Sequence, residues 1–278
     1  MEASRQTAGA DPDLTVHHVN EHIRLIQRRE GLTFGTDAYL TAAYVRAQPR
    51  ARAVDLGSGT GIIPLLCLAR NKAASFTAVE IQPLFCDVIR QNGLENCLSH
   101  RLTPLCADIR SLTTEAVGGE VDLVTANPPY LAAGTGARNR SDEKYIARHE
   151  VAGTVYDFCA AAGRVLKHGG RLVCVFRPER LSDLMEALRQ AHLEPKRMTQ
   201  VQATPLARPS LLLVEAVKFA APSLRITPPL FLWQPDPERP ERPDPRMIPS
   251  EMSEYVYSHC AFPDTDRNGE KQSNNEGK

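Results

Sequence analysis

An excess of charge of either sign is absent: 33 Lys and Arg residues balance 33 Asp and Glu residues. No global positive field therefore draws this 278-residue chain towards nucleic acid or a membrane, which leaves local patches for any such partner. The opening MEASRQTAGADPD has no apolar signal core, and no run approaches the roughly 20 apolar residues that cross a bilayer. A cytoplasmic protein with no membrane partner is expected. Among seven cysteines no two have C-x-x-C spacing, and Cys67, Cys86, Cys159 and Cys174 sit in apolar segments. Buried reduced thiols fit that pattern better than disulfides or metal ligands, so no metal site is expected. Internal repeats are missing, and nothing points to an obligatory protein partner.

What is present is an ordinary globular composition, 42% apolar and 24% charged. Strand-like runs AVDL (53–56), FTAVE (76–80), LTPLCA (102–107), VDLVTA (121–126), RLVCVF (171–176) and LLLVEAVKF (211–219) alternate with helical ones. The helical runs are IIPLLCLAR, QPLFCDVIRQNG, TVYDFCAAAGRVLK and LSDLMEALRQAH, with AYLTAAYV ahead of them. Such alternation predicts an α/β fold, a mostly parallel sheet with helices on both faces. Gly169-Gly170 is expected to end the helix before the fifth of these strands. Residues 1–20 read as a flexible N-terminus, and 21–220 as one domain opening with a segment at 21–50. Residues 221–278 read as a Pro-rich, partly disordered extension. Nine prolines between Pro222 and Pro249 predict an extended arm there.

The first strand runs into Gly57-Ser58-Gly59-Thr60-Gly61. Glycines at a strand-to-helix turn let backbone approach a ligand that side chains would block. Asp55 ahead of them would repel a pyrophosphate, but it suits a ligand carrying positive charge. Glu80 ends the next strand, where an acid can take ribose hydroxyls. Asp108 follows the third, where it can accept from an adenine amino group. Three acids at successive strand ends, along the crevice where open α/β sheets bind ligands, suggest S-adenosylmethionine.

The fourth strand ends in Asn127-Pro128-Pro129-Tyr130. A planar amine needs its hydrogens directed away from an incoming methyl group. The Asn127 side-chain oxygen and the Pro128 carbonyl can each accept one N–H, and the prolines hold both acceptors still. Tyr130, beside Pro129, offers a flat face to an extruded base. Arg138, Arg140, Lys144, Arg148 and His149 follow in one loop, with Lys196, Arg197 and Arg208 further on. Together they read as an RNA-facing rim.

VDLGSGTG followed by VE, AD and NPPY resembles the class I S-adenosylmethionine-dependent methyltransferases that act on amino groups. More narrowly, Gly35-Thr36-Asp37 with AYLTAAYV, NPPY, Ala147-Arg148-His149-Glu150 and FRPERL resemble bacterial tRNA(Val) adenine-37 N6-methyltransferases, over about residues 20–235. The resemblance implies a Rossmann-like class I methyltransferase fold with a seven-stranded sheet. It implies a tRNA anticodon loop as substrate, with Thr36 and Asp37 closing over cofactor and target. Cofactor contacts are then expected from Thr36, Asp37, Asp55, Gly57, Gly59, Gly61, Glu80, Asp108 and Asn127. A protein-glutamine N5-methyltransferase acting on release factor is the nearest alternative, since a glutamine amide presents the same planar nitrogen. Resemblance to that family would imply a helical substrate-binding domain joined ahead of the sheet, and the roughly fifty residues that precede Asp55 here are too few for it. A non-catalytic cofactor- or RNA-binding protein is the second alternative.

Overall fold

The computed structural model describes residues 14–28, 35–129, 153–236 and 247–263. Its centre is a sheet built from β3 (Arg52–Leu56), β4 (Ser75–Glu80), β5 (Leu102–Cys106), β6 (Val121–Ala126), β7 (Leu166–Phe176), β8 (Leu193–Gln202) and β9 (Pro209–Lys218). In space they lie in the order β5-β4-β3-β6-β7-β9-β8. All pair in parallel except β9, which runs antiparallel to both β7 and β8. Two short pieces, β10 (Arg225–Ile226) and β11 (Leu230–Phe231), add to the free edge of β8, so nine strands form the sheet rather than the expected seven.

Alternate residues of each strand face opposite cores, as the pleat requires. Ala53, Val173 and Val175 point towards α1 (Thr36–Tyr44) and α2 (Ile62–Ala69). Val54, Leu56, Leu172 and Cys174 point towards α4 (Val155–Val165) and α5 (Leu181–Gln190). Between β4 and β5 runs α3 (Pro83–Glu95), whose Ile89 joins the first of these cores. The capping box of Thr154 with Asp157 starts α4. That helix ends at Val165, and Gly169-Gly170 lie inside β7, where its pairing with β6 slips by a bulge. The glycine pair is therefore a strand irregularity, not the expected helix stop.

Residues 14–28 form a hairpin of β1 (Leu14–His18) and β2 (Arg24–Arg28), which corrects the flexible reading from Leu14 onward. The hairpin is held by two amides one helical turn apart, Asn92 on α3 and Asn96 at its C-terminal cap. Asn92 accepts from the Ile26 amide at 2.7 Å and donates to the Ile26 carbonyl at 2.9 Å, and Asn96 makes the same pair with Arg24. Each amide side chain imitates the backbone of a neighbouring strand.

The extension is not a free arm over its described residues. Its backbone follows β8 as an edge strand, a place that tolerates prolines because one side of the ladder needs no donor. Beyond it come the antiparallel pair β12 (Trp233–Pro235) and β13 (Met247–Pro249), then α6 (Glu251–His259), whose Val256 is fully buried in the core. Among the described residues no helix is long and apolar enough to cross a membrane.

Asn92 is fully buried and also donates to the Thr60 carbonyl, so it ties the hairpin to the glycine turn. Asn92→Ala strands three backbone groups and is expected to cost about 3 kcal/mol in urea unfolding. Amide exchange at Ile26 should accelerate in the same variant, while exchange in β7 should follow only the global loss.

Candidate active site

Leu56 ends β3 against Ala126 of β6, so the turn that follows one strand abuts the segment that follows the other. Gly57, Gly59 and Gly61 all have positive φ. Gly57 also packs against Phe158, where a Cβ would come within 3.0 Å of the ring. Above Gly59, by contrast, a Cβ would meet nothing within 4 Å. The turn thus presents bare backbone to open space, where a ligand can lie close.

Two carboxylates fix this turn from beneath. Asp55 is 1% exposed, and its two oxygens accept from Ser58 Oγ and Thr125 Oγ1, both at 2.6 Å. Glu80 accepts from the Gly59 amide at 2.9 Å and from the Gln82 amide at 3.0 Å. Asp108 sits after β5, and Arg110 spans its carboxylate, with Nε 2.9 Å from each oxygen. That guanidinium holds the Asp108 carboxyl below the usual carboxylate range. An adenine amino group meeting Asp108 would therefore share it with Arg110.

Thr36 and Asp37 open α1. Lys72, which lies just before β4, donates to the carbonyls of Ala42, Ala43 and Val45. The last turn of α1 is thereby pinned where the parallel strands begin. Nine helical residues, about 13 Å, then carry Thr36 and Asp37 to the opposite end, where those strands finish. Gly35 precedes Thr36 in an extended conformation, and a Cβ there would fall 2.4 Å from Asp37 Oδ1, so any larger residue would make the Asp37 carboxylate swing aside.

Asn127 follows β6 directly and is half-buried, with Pro128 buried behind it and Pro129 partly so. One end of the sheet thus gathers Thr36, Asp37, Asp55, Gly57, Gly59, Gly61, Glu80, Asp108, Asn127, Pro128 and Pro129. Tyr130, Arg138, Arg140, Lys144, Arg148 and His149 lie outside the described residues. Arg197 is not on this rim: it is buried in β8, with Nη2 3.1 Å from Glu215. Lys196 is tied to the Ala221 carbonyl. Ser58, Thr125 and Arg110 are the partners that sequence reasoning missed. A threonine inside the apolar run VDLVTA was the available signal for one of them.

The sequence profile of the family "Methyltransferase small domain" matches residues 29–198. A tRNA1(Val) (adenine(37)-N6)-methyltransferase from Porphyromonas gingivalis is 29% identical over 187 residues, covering 65% of this chain and 72% of that protein. One of the same name from Aliivibrio fischeri is 32% identical over 119 residues, covering 43% of this chain and 49% of that protein. Among solved structures, a predicted O-methyltransferase from Agrobacterium tumefaciens shares the fold at a TM-score of 0.62 and 22% identity, covering 82% of this chain and 98% of that one. TYW2 of Pyrococcus horikoshii, solved with MeSAdo, shares it at 0.52 and 16%, covering 77% and 74%.

Burial pushes the Asp55 carboxyl up to about 7 from an ordinary 3.8, against the pull of its two hydroxyl donors. A raised carboxyl favours the folded state at low pH. Its contribution is complete below pH 4 and is lost as pH rises through about 7, a loss on the order of 4 kcal/mol. Asp55→Asn should flatten that slope in urea unfolding measured from pH 4 to 8. An unchanged slope would mean that Asp55 is ionised throughout.

Proposed function

The chain belongs to the methyltransferase small domain family, and on that premise we propose that it methylates N6 of an adenine in tRNA, at position 37 of a valine tRNA, in the cytoplasm. The observation that carries the reading is the position of Asn127-Pro128-Pro129, one strand over from the glycine turn. The names of the curated relatives support the substrate.

The residues at this end of the sheet fit S-adenosylmethionine. Open backbone at Gly59 leaves room beside the turn, and Glu80 and Asp108 supply acceptors for ribose hydroxyls and an adenine amine. Asp55 places a carboxylate beneath, where positive charge on a ligand is favoured. When bound, the cofactor supplies an electrophilic methyl group on a sulfonium.

Asn127 and Pro128 do the orienting. The side-chain oxygen of one and the backbone carbonyl of the other accept the two N–H bonds of the adenine amine. Its lone pair then turns out of conjugation towards the methyl group. Pro128 is held in place before reaction by burial and a fixed φ, and Asn127 is anchored between it and the end of β6. The nitrogen gains a methyl group and releases a proton to solvent, so no strong base is needed. Tyr130 stacks on the extruded base, and the basic residues from Arg138 to Arg148 meet the flanking phosphates.

Asn127→Ala should lower turnover by two or more orders of magnitude while S-adenosylmethionine affinity, measured by calorimetry, stays within about twofold. Nucleoside analysis of valine tRNA after reaction should show N6-methyladenosine. Methylated glutamine in a release factor, with tRNA unmodified, would overturn the reading.

A further inference from the structure

The extension past Ala220 has a destination. Thr227, Leu232 and Trp233 donate in turn to the carbonyls of Met198, Gln202 and Ala203, each at 2.9 Å. The segment therefore climbs beside β8 and delivers Trp233 to the end of the sheet where β8 and the parallel strands finish. The chain then returns through β13 into α6. Ser250 caps α6, and Tyr257 on that helix stacks on Tyr39 of α1 at 4.9 Å. The Tyr39 hydroxyl donates to the Tyr257 carbonyl at 2.6 Å, and Tyr257 and Thr36 line the same cavity.

A cavity of about 620 Å³ opens between these pieces, with Thr36, Leu232, Trp233, Pro249, Glu254 and Tyr257 in its wall. That volume is in the range of small-ligand pockets. Trp233 is 44% exposed and Tyr257, one face of which rests on Tyr39, is 37% exposed, so two partly exposed aromatic rings share this wall. Glu254 gives the wall a carboxylate, and no cation lines it among the described residues. Such a wall repels phosphate and suits an uncharged planar ring that carries an amine. Thr36 is shared between this cleft and the candidate active site, which puts the two side by side.

We propose that this cleft holds a second, non-reacting base of the RNA substrate, stacked on Trp233 and Tyr257 with an exocyclic amine turned to Glu254. The inference rests on the tRNA reading above. The extension is then a substrate-binding element, and Trp233 a specificity residue rather than a catalytic one. Stacking platforms of this kind take unpaired bases whatever their identity, and a carboxylate adds preference for those bearing an amino group.

Trp233 is the only tryptophan in the chain, so its fluorescence reports this site alone. Titrating the full chain with valine tRNA should quench that emission. Trp233→Ala should raise KM for tRNA about five- to a hundredfold, the range for losing one stacking face, with S-adenosylmethionine affinity unchanged. Trp233→Phe should restore most of the loss, which a merely misfolded extension would not do. Quenching is read without turnover. Quenching without methylation therefore sinks the reaction assignment alone. Normal methylation with unquenched emission and an unaltered KM in Trp233→Ala overturns the cleft.

Discussion

The buried carboxylate of Asp55 holds the site together. It belongs to β3, accepts a hydroxyl from the glycine turn and accepts another from β6, so three segments meet on one side chain. Asp55 and Thr125 are direct neighbours in the β3–β6 register, which puts both on the same face of the sheet. Because the pair is shielded from water, each hydrogen bond is strong and the loss of either partner is costly. Glu80 repeats the device from the next strand, holding the Gly59 amide. The backbone that a cofactor meets is therefore shaped in advance by acids beneath it.

A second polar network works at the far end of the sheet. Lys72 closes the last turn of α1 by donating to three carbonyls, and Arg197 donates to the Tyr44 carbonyl at 2.7 Å while pairing with Glu215. The Tyr44 ring covers the Arg197 guanidinium at 3.7 Å. Burial lowers the pKa of Lys72, and the three carbonyls compensate its charge. Neither network touches the other, yet both orient the active end. One fixes the turn, and the other fixes the helix that brings Thr36 and Asp37 to it.

Strands with unbroken apolar character were legible in the sequence. VDLVTA is β6 without adjustment, and AVDL and FTAVE each gain only one residue at the start. The glycine turn and the three acids were legible too, because each follows a recognisable strand. By contrast β8, LEPKRMTQVQ, reads as polar, since Arg197 and Thr199 interrupt its alternation. They are buried all the same, because Tyr44 and Glu215 take the Arg197 Nη2 and Tyr44 and Thr227 take the Thr199 hydroxyl, while the Arg197 Nε stays without a hydrogen-bond partner among the described residues. The hairpin at 14–28 escaped notice for a similar reason, as the side chains of Asn92 on α3 and Asn96 at its cap complete its edge.

By itself the sequence determined the alternation of strands and helices, the place of the glycine turn and the amide after β6. These are local properties: pleat period, glycine conformation and proline stiffness act over a few residues. The tertiary structure alone decided which hydroxyls Asp55 uses, that Arg110 takes Asp108, and that Arg197 is buried rather than facing RNA. It also decided that a proline-rich segment binds the edge of β8 and passes beside Thr36. Each of these outcomes depends on partners distant in the chain, such as Asp55 and Thr125 or Tyr39 and Tyr257, which meet only when the sheet assembles.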